Sequence, residues 1–240
     1  MKAMHLFFWA LVFTSSLSGC FIDNIFDCIE GDGNLVTQEL DISGFDGIKL
    51  RTAATLTITQ DPEYRVEVTG ERNVIRQLDL TVRRGVWYIE FEDCVRRHSR
   101  LQIAVTMPEI RELTLSGSGS IEGTNFFDGE SIDIFLSGSG YIDLGLAMNS
   151  IDAVLSGSGN IKLEGIADDI DHMTSGSGSL KAFDLETRKA DIVLSGSGDA
   201  EITCMEFLDV RISGSGDVFY KGTPSVDARI SGSGQVIDAN

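Results

Sequence analysis

The sequence predicts an all-β chain folded as a right-handed parallel β-helix. This is a single-stranded solenoid with coils of 18–21 residues and a less regular β-rich N-terminal part. Three observations predict it. Ser-Gly-Ser-Gly occurs seven times, beginning at Ser116, Ser137, Ser156, Ser175, Ser195, Ser213 and Ser231, in steps of 21, 19, 19, 20, 18 and 18 residues. Apolar residues recur at fixed odd offsets from each copy, the alternation of a half-buried strand. Glycine is abundant at 26 residues and proline scarce at 3, which favours sharp turns inside ordered structure over a disordered linker.

The elements follow in order. Residues 1–19 read as a lipoprotein signal peptide: a weakly basic start, the apolar run Leu6 to Phe13, then Leu17-Ser18-Gly19-Cys20. That tetrapeptide resembles the bacterial lipobox, so Cys20 is the expected lipid attachment site. Several acyl chains at ~0.8 kcal/mol per buried CH2 anchor a protein without a transmembrane helix. Residues 20–34 form the lipidated end and a tether, with a turn signal at Gly31-Asp32-Gly33-Asn34. Residues 35–113 alternate as strands without the tetrapeptide: Leu56 and Ile58, Val66 and Val68, then Leu101, Ile103 and Val105. Arg83-Arg84-Gly85 predicts a hairpin between Leu80-Thr81-Val82 and Val86 to Phe91, and Asn73 to Leu78 a single helical turn. The stretch Gly47 to Ile58 reads as a degenerate repeat. It aligns with Ser131 to Gly138 and then needs a small deletion, so the solenoid is expected to begin near residue 45. Residues 114–240 are the regular repeats.

Aligned on the first Ser, four columns are apolar. One before it lie Leu115, Leu136, Leu155, Thr174, Leu194, Ile212 and Ile230; three before, Leu113, Ile134, Ala153, His172, Ile192, Val210 and Ala228. Five before lie Arg111, Ile132, Ile151, Ile170, Ala190, Leu208 and Val226; five after, Ile121, Ile142, Ile161, Leu180, Ala200, Val218 and Val236. These columns are the expected core, alternate strand residues stacked coil on coil at ~4.8 Å. Glycine marks the bend of each coil. If alternation continues through it, both glycines point in and both serines out, giving two files of hydroxyls. Those hydroxyls serve turn-making alone or form a face that reads a ligand.

Four residues before each Ser stands an acid: Glu112, Asp133, Asp152, Asp171, Asp191, Asp209 and Asp227. Stacked, they form a surface file whose like charges repel. Three readings stay open. Each carboxylate accepts backbone N–H or hydroxyl bonds at a bend, the file is simply solvated, or it is a cation ladder for calcium, which takes several oxygen ligands per ion. The net charge of −18 at pH 7 argues against nucleic acid as a partner.

Three further cysteines lie in a chain expected to be exported, where thiols oxidise. Cys28 to Cys94 would staple the tether to the first layers, and Cys204 reads as a buried free thiol, although spacing leaves the connectivity open. No cysteine spacing suggests zinc, no Ser/His/Asp or Cys/His set emerges, and the tetrapeptide lacks the Lys-Ser/Thr of a phosphate-binding loop. His172 reads as a hydrogen-bonded core residue and His98 as part of a basic loop.

The lipobox, the Phe45-Asp46-Gly47-Ile48 opening, Thr57-Ile58-Thr59-Gln60 and the recurrent Leu-Ser-Gly-Ser-Gly-x-Ile together resemble the auto-transporter adhesins with a head GIN domain, over roughly residues 35–240. The resemblance implies an exported Gram-negative β-solenoid with a cysteine pair placed like Cys28 and Cys94, and it brings no catalytic residues. The expected function is a non-catalytic envelope lipoprotein anchored at the outer membrane, on its periplasmic or surface side. It is an adhesive or structural module presenting a Ser/Asp face to a glycan or protein partner. The alternatives are a homo-oligomeric scaffold polymerising through its ends and a polysaccharide-active enzyme. Solenoid ends need covering, so self-association or an N-terminal cap is expected.

Overall fold

A computed structural model describes residues 28–240; the signal peptide and Cys20 lie outside them. The N-terminal part holds β1 (Ile29–Glu30), β2 (Leu35–Leu40), β3 (Gly47–Leu50), β4 (Ala54–Gln60), β5 (Arg65–Glu71), the helical turn α1 (Arg72–Ile75), β6 (Val82–Arg83), β7 (Val86–Ile89), β8 (Val95–Arg96) and β9 (Leu101–Met107). The repeats hold β10 (Glu112–Gly117) and five long strands, β11 (Ser120–Gly138), β12 (Tyr141–Gly157), β13 (Asn160–Gly176), β14 (Ser179–Gly196) and β15 (Ala200–Gly214). The last coil is β16 (Val218–Lys221), β17 (Ser225–Gly232) and β18 (Val236–Asp238). The fold is a β-solenoid of about seven stacked turns with a less regular N-terminal part.

Neighbouring coils pair in parallel and almost without slip, Leu136 with Leu155, Thr174 with Leu194, Ile212 with Ile230. The apolar columns therefore become ladders, and from Leu113 to Ile212 the three columns before each tetrapeptide are buried, His172 and Thr174 included. Two core expectations fail at the ends. Arg111 is exposed, because it precedes β10 where the chain climbs from the base, and Ile110 is buried beside it instead. Val226, Ala228 and Ile230 are exposed, because no described coil lies above them.

The tetrapeptide turns the corner, with its two glycines doing different work. The second one, from Gly119 to Gly234, is buried; the first, from Gly117 to Gly232, takes positive φ and stays at the surface. The expectation that both point inward is corrected, since positive φ interrupts the alternation. Both are glycine because the corners stack backbone on backbone. A Cβ on Gly157 would strike the carbonyl oxygen of Gly138, and one on Gly159 that of Gly140. Gly138 O accepts from Ser158 N at 2.8 Å and Gly159 N at 3.0 Å, so the ladder of hydrogen bonds runs through the bend.

The solenoid does include residues 47–60, in a register and an order that the sequence did not reveal. Gly47, Ile48 and Leu50 pair with Glu112, Leu113 and Leu115, and Thr55 pairs with Ser120. Ile48 thus matches Ile134 rather than Ile132. A slip of two residues keeps every side chain on its face, so alternation cannot detect it. No deletion is needed, because Arg51-Thr52-Ala53-Ala54 occupies the corner. Below this coil lies a later one, with β7 paired to β3 and β9 to β4. Beyond it β5 runs antiparallel to β9, and β2 antiparallel to β5. The β6–β7 hairpin turns on Arg84 and Gly85, both at positive φ. Trp87 and Tyr64 pack on Phe45 with ring centroids 5.7 and 5.3 Å away and close the base, where the Trp87 indole N–H donates to Asp79 O at 3.0 Å. A disulfide joins Cys28 to Cys94 beside the β1–β8 pair.

Candidate functional site

The strands before the corners, β3 and β10 and then the ends of β11 to β15 and β17, form one wall, and its outer face carries four parallel files. The seven acids from Glu112 to Asp227 stand in exact pairwise register. Asp133 to Asp209 sit within long strands rather than at a bend, and no described backbone N–H donates to any carboxylate of the file. Cations hold the two ends of the file. Lys49 Nζ lies 2.7 Å from Glu112; Arg211 bridges Asp191 and Asp209 at 3.0 and 3.1 Å, and Arg229 lies 3.0 Å from Asp227. Among the described residues no side chain hydrogen-bonds or ion-pairs with Asp133, Asp152 or Asp171. Partial burial first, and the neighbouring carboxylates second, hold the Asp133 and Asp171 carboxyls above the usual aspartate range. Among the described residues no group of three or more His, Cys, Asp or Glu is arranged to hold a metal ion. The file offers one carboxylate per coil where calcium needs six to eight oxygens.

Two residues further on, Phe135, Val154, Met173 and Val193 stack in register where outward residues are ordinarily polar. Phe135 is 39% and Met173 49% exposed. This stripe escaped the column reading, yet its signal was present in the sequence as an apolar side chain on the solvent side of four successive strands. Beside it runs the file of first serines, and past the corner glycine the file of second serines. Within these files Ser233 Oγ donates to Ser215 Oγ at 3.2 Å. On the other side of the acids, Ser150, Asp169, Lys189 and Phe207 border an open concavity of about 370 Å3 that Asp171 and Asp191 also line. The face therefore offers carboxylate, apolar surface and hydroxyl side by side, repeated once per coil.

The remaining candidates lie elsewhere. His172 is buried under this wall with Nε2 2.7 Å from Thr174 Oγ1, and burial pushes its pKa down to about 4, so it is neutral at pH 7. His98 is at the base, its Nδ1 2.7 Å from Ser99 O. Cys204 is buried and free, with its thiol pushed up by burial.

His172 gives the fold an acid sensitivity. The unfolded imidazole titrates near 6.5 and the folded one about 4, so below pH 6.5 the unfolded chain binds the extra proton and stability falls with pH. The loss reaches about 3 kcal/mol near pH 4. Asp133 and Asp171, with raised folded values, act in the opposite sense. Urea titrations at pH 7 and pH 4.5 should show the loss in the parent and a much smaller one in His172→Ile/Thr174→Leu, which restores the ladder residues of neighbouring coils. An equal loss in both would place the sensitivity elsewhere.

A stack of parallel coils with an in-register polar face defines the class, a β-solenoid whose coils repeat one outer surface. The chain belongs to the family described as putative auto-transporter adhesin, head GIN domain, which it matches over residues 44–224. Solved structures share the fold. A putative adhesin of Bacteroides fragilis superposes with TM-score 0.83 at 23% identity, over 87% of this chain and 99% of that one. A putative lipid binding protein of Parabacteroides distasonis gives TM-score 0.74 at 27% identity, over 88% and 99%. A putative adhesin of Parabacteroides merdae gives 0.72 at 20% identity, over 88% and 100%. No curated protein matches the chain. The family points to a protein of the cell envelope or surface, and among the described residues no helix is long and apolar enough to cross a membrane.

Proposed function

We propose that the chain is a non-catalytic adhesive module of the cell envelope. It is tethered to the outer membrane by lipid on Cys20 and holds a protein partner through the acid, apolar and hydroxyl files of its outer wall. One observation carries the reading: Phe135, Val154 and Met173 of the apolar stripe lie in register beside Asp133, Asp152 and Asp171, the part of the acid file that no described cation neutralises. Burying Met173 and Phe135 supplies affinity at roughly 25 cal/mol per Å2. The carboxylates of Asp133, Asp152 and Asp171 select a basic surface and repel acidic ones. Repetition once per coil lets weak contacts add along the stack.

The full-length chain in detergent, screened against arrays of envelope and host-surface proteins and of glycans, is expected to retain a protein with a basic face. Asp152→Lys should weaken that binding about ten-fold, and raising salt from ~0.05 to ~0.5 M should weaken it similarly. Binding confined to glycans, or indifferent to Asp152→Lys and to salt, would overturn the reading.

A further inference from the structure

Among the described residues the two ends of the stack are built differently. The antiparallel strands β5 and β2 and the β6–β7 hairpin finish the base. At the top, β17 pairs with β15 on one edge and with nothing described on the other. Its inward residues are bare: Val226 and Ile230 are 38% and 46% exposed, while Leu208 and Ile212 one coil below are 0% and 2%. The direction of its free backbone groups follows from the ladder. Asp133 N donates down to Arg111 O at 2.8 Å and Ser233 N to Gly214 O at 2.9 Å. Asp227 shares that parity, so the alternate residues Val226, Ala228 and Ile230 aim N–H and C=O at the open edge.

This edge reads Ser225-Val226-Asp227-Ala228-Arg229-Ile230-Ser231, which is complementary to itself in the reverse direction. We propose that a second copy of this chain covers it, β17 against β17, antiparallel about a two-fold axis at Ala228. In that pairing Ala228 exchanges its N–H and C=O with its mate, and Val226 does the same with Ile230 of the second copy. Those are the residues whose groups are free. On the inner side Val226 meets Ile230 and Ala228 meets Ala228, so the apolar ladder continues across the axis. On the outer side Asp227 faces Arg229 in both directions. Asp227 and Arg229 are exposed and now paired only within the strand, at 3.0 Å. A one-residue slip would set apolar against charged side chains across the axis, so the register is specified. The interface is isologous, each copy using the same edge, so the pairing closes as a dimer and does not grow into a filament through this edge.

The two bases then lie at opposite ends of a doubled stack. Taken with the proposed lipid on Cys20, this joins two membrane surfaces tip to tip, a homophilic contact. That consequence rests on the proposed anchoring, and the pairing itself does not.

The test uses the full-length chain in detergent. Cα atoms of a hydrogen-bonded antiparallel pair are about 5.5 Å apart, within disulfide reach. Ala228→Cys is therefore expected to give a covalent dimer on mild oxidation, absent from the parent chain treated alike. Adding Arg229→Asp sets carboxylates against each other and should reduce the dimer at least about ten-fold. Adding Asp227→Arg as well restores complementarity and should restore the dimer. Unchanged far-ultraviolet spectra and urea midpoints verify that these exposed substitutions leave the coils folded. Failure of Ala228→Cys to cross-link, cross-linking indifferent to Arg229→Asp, or a ladder of higher species would each overturn the proposal. Loss of partner binding by Asp152→Lys with the cross-link intact separates this pairing from the proposed adhesive face.

Discussion

Replacing Gly157 by alanine is expected to destabilise the protein by about 4 kcal/mol, as one non-glycine residue in a strained backbone region pressed against a neighbouring coil. Gly157 has φ 130°, where an L side chain is strained, and its Cβ would meet the carbonyl oxygen of Gly138. Neither partner can retreat. Gly138 O is held by Ser158 N and Gly159 N, and the two coils are tied by matched strands on both sides of the bend, Leu136 with Leu155 and Ile142 with Ile161. Gly117→Ala provides the comparison. Its φ is 116°, but a Cβ there meets nothing within 4 Å, since the Arg51-Thr52 corner below does not press on it. That variant should cost only the backbone strain, about 1–2 kcal/mol. Urea unfolding of both variants reads the difference. Equal costs would mean that close stacking of the corners is not why the tetrapeptide keeps glycine.

The same corner shows which parts of the fold were legible. Period and columns sufficed for the repeats because every coil meets a near copy of itself, so Leu136, Leu155 and Leu194 can only stack. The two glycines were misread as equivalent because alternation says nothing of φ. The base was opaque for a different reason. Coil 47–60 sits between a later coil and β10, and no local pattern records that β5 and α1 carry the chain down before it returns. The register error there was even-numbered, which is the error that a period of two permits. On the outer wall the acid file was legible as an unbroken column. The stripe of Phe135, Val154, Met173 and Val193 beside it went unseen because apolar residues were sought only on the inner face. Likewise the self-complementarity of residues 225–231 has meaning only once the strand is known to be an uncovered edge.

The second large effect is expected at the base. Cys94→Ser opens a disulfide between residues 66 apart, and loop entropy sets the loss at about 4 kcal/mol. The bridge is part of a strap. Ile29 N donates to Cys94 O at 2.8 Å, and Asn73 Nδ2 donates to Glu30 O at 2.7 Å. The Glu71 carboxylate accepts from Gly33 N at 2.9 Å and Ser99 N at 2.7 Å, bonds that hold its pKa below the usual glutamate range. A carboxyl with a depressed folded pKa contributes stability that is complete above its unfolded value and is lost as pH falls through the folded one. The strap without its disulfide should therefore weaken further in acid. Coils contact only their neighbours, so the loss is local. Trp87, buried at the base, reports that region by fluorescence, while far-ultraviolet circular dichroism reports the whole stack. In the parent the two signals should fall together with urea. In Cys94→Ser the Trp87 signal should fall first, and Cys28→Ser/Cys94→Ser should match the single variant, since one bond is removed in each. If both signals shift together in Cys94→Ser, the base and the coils unfold as one unit, and the disulfide stabilises the whole array rather than its foot.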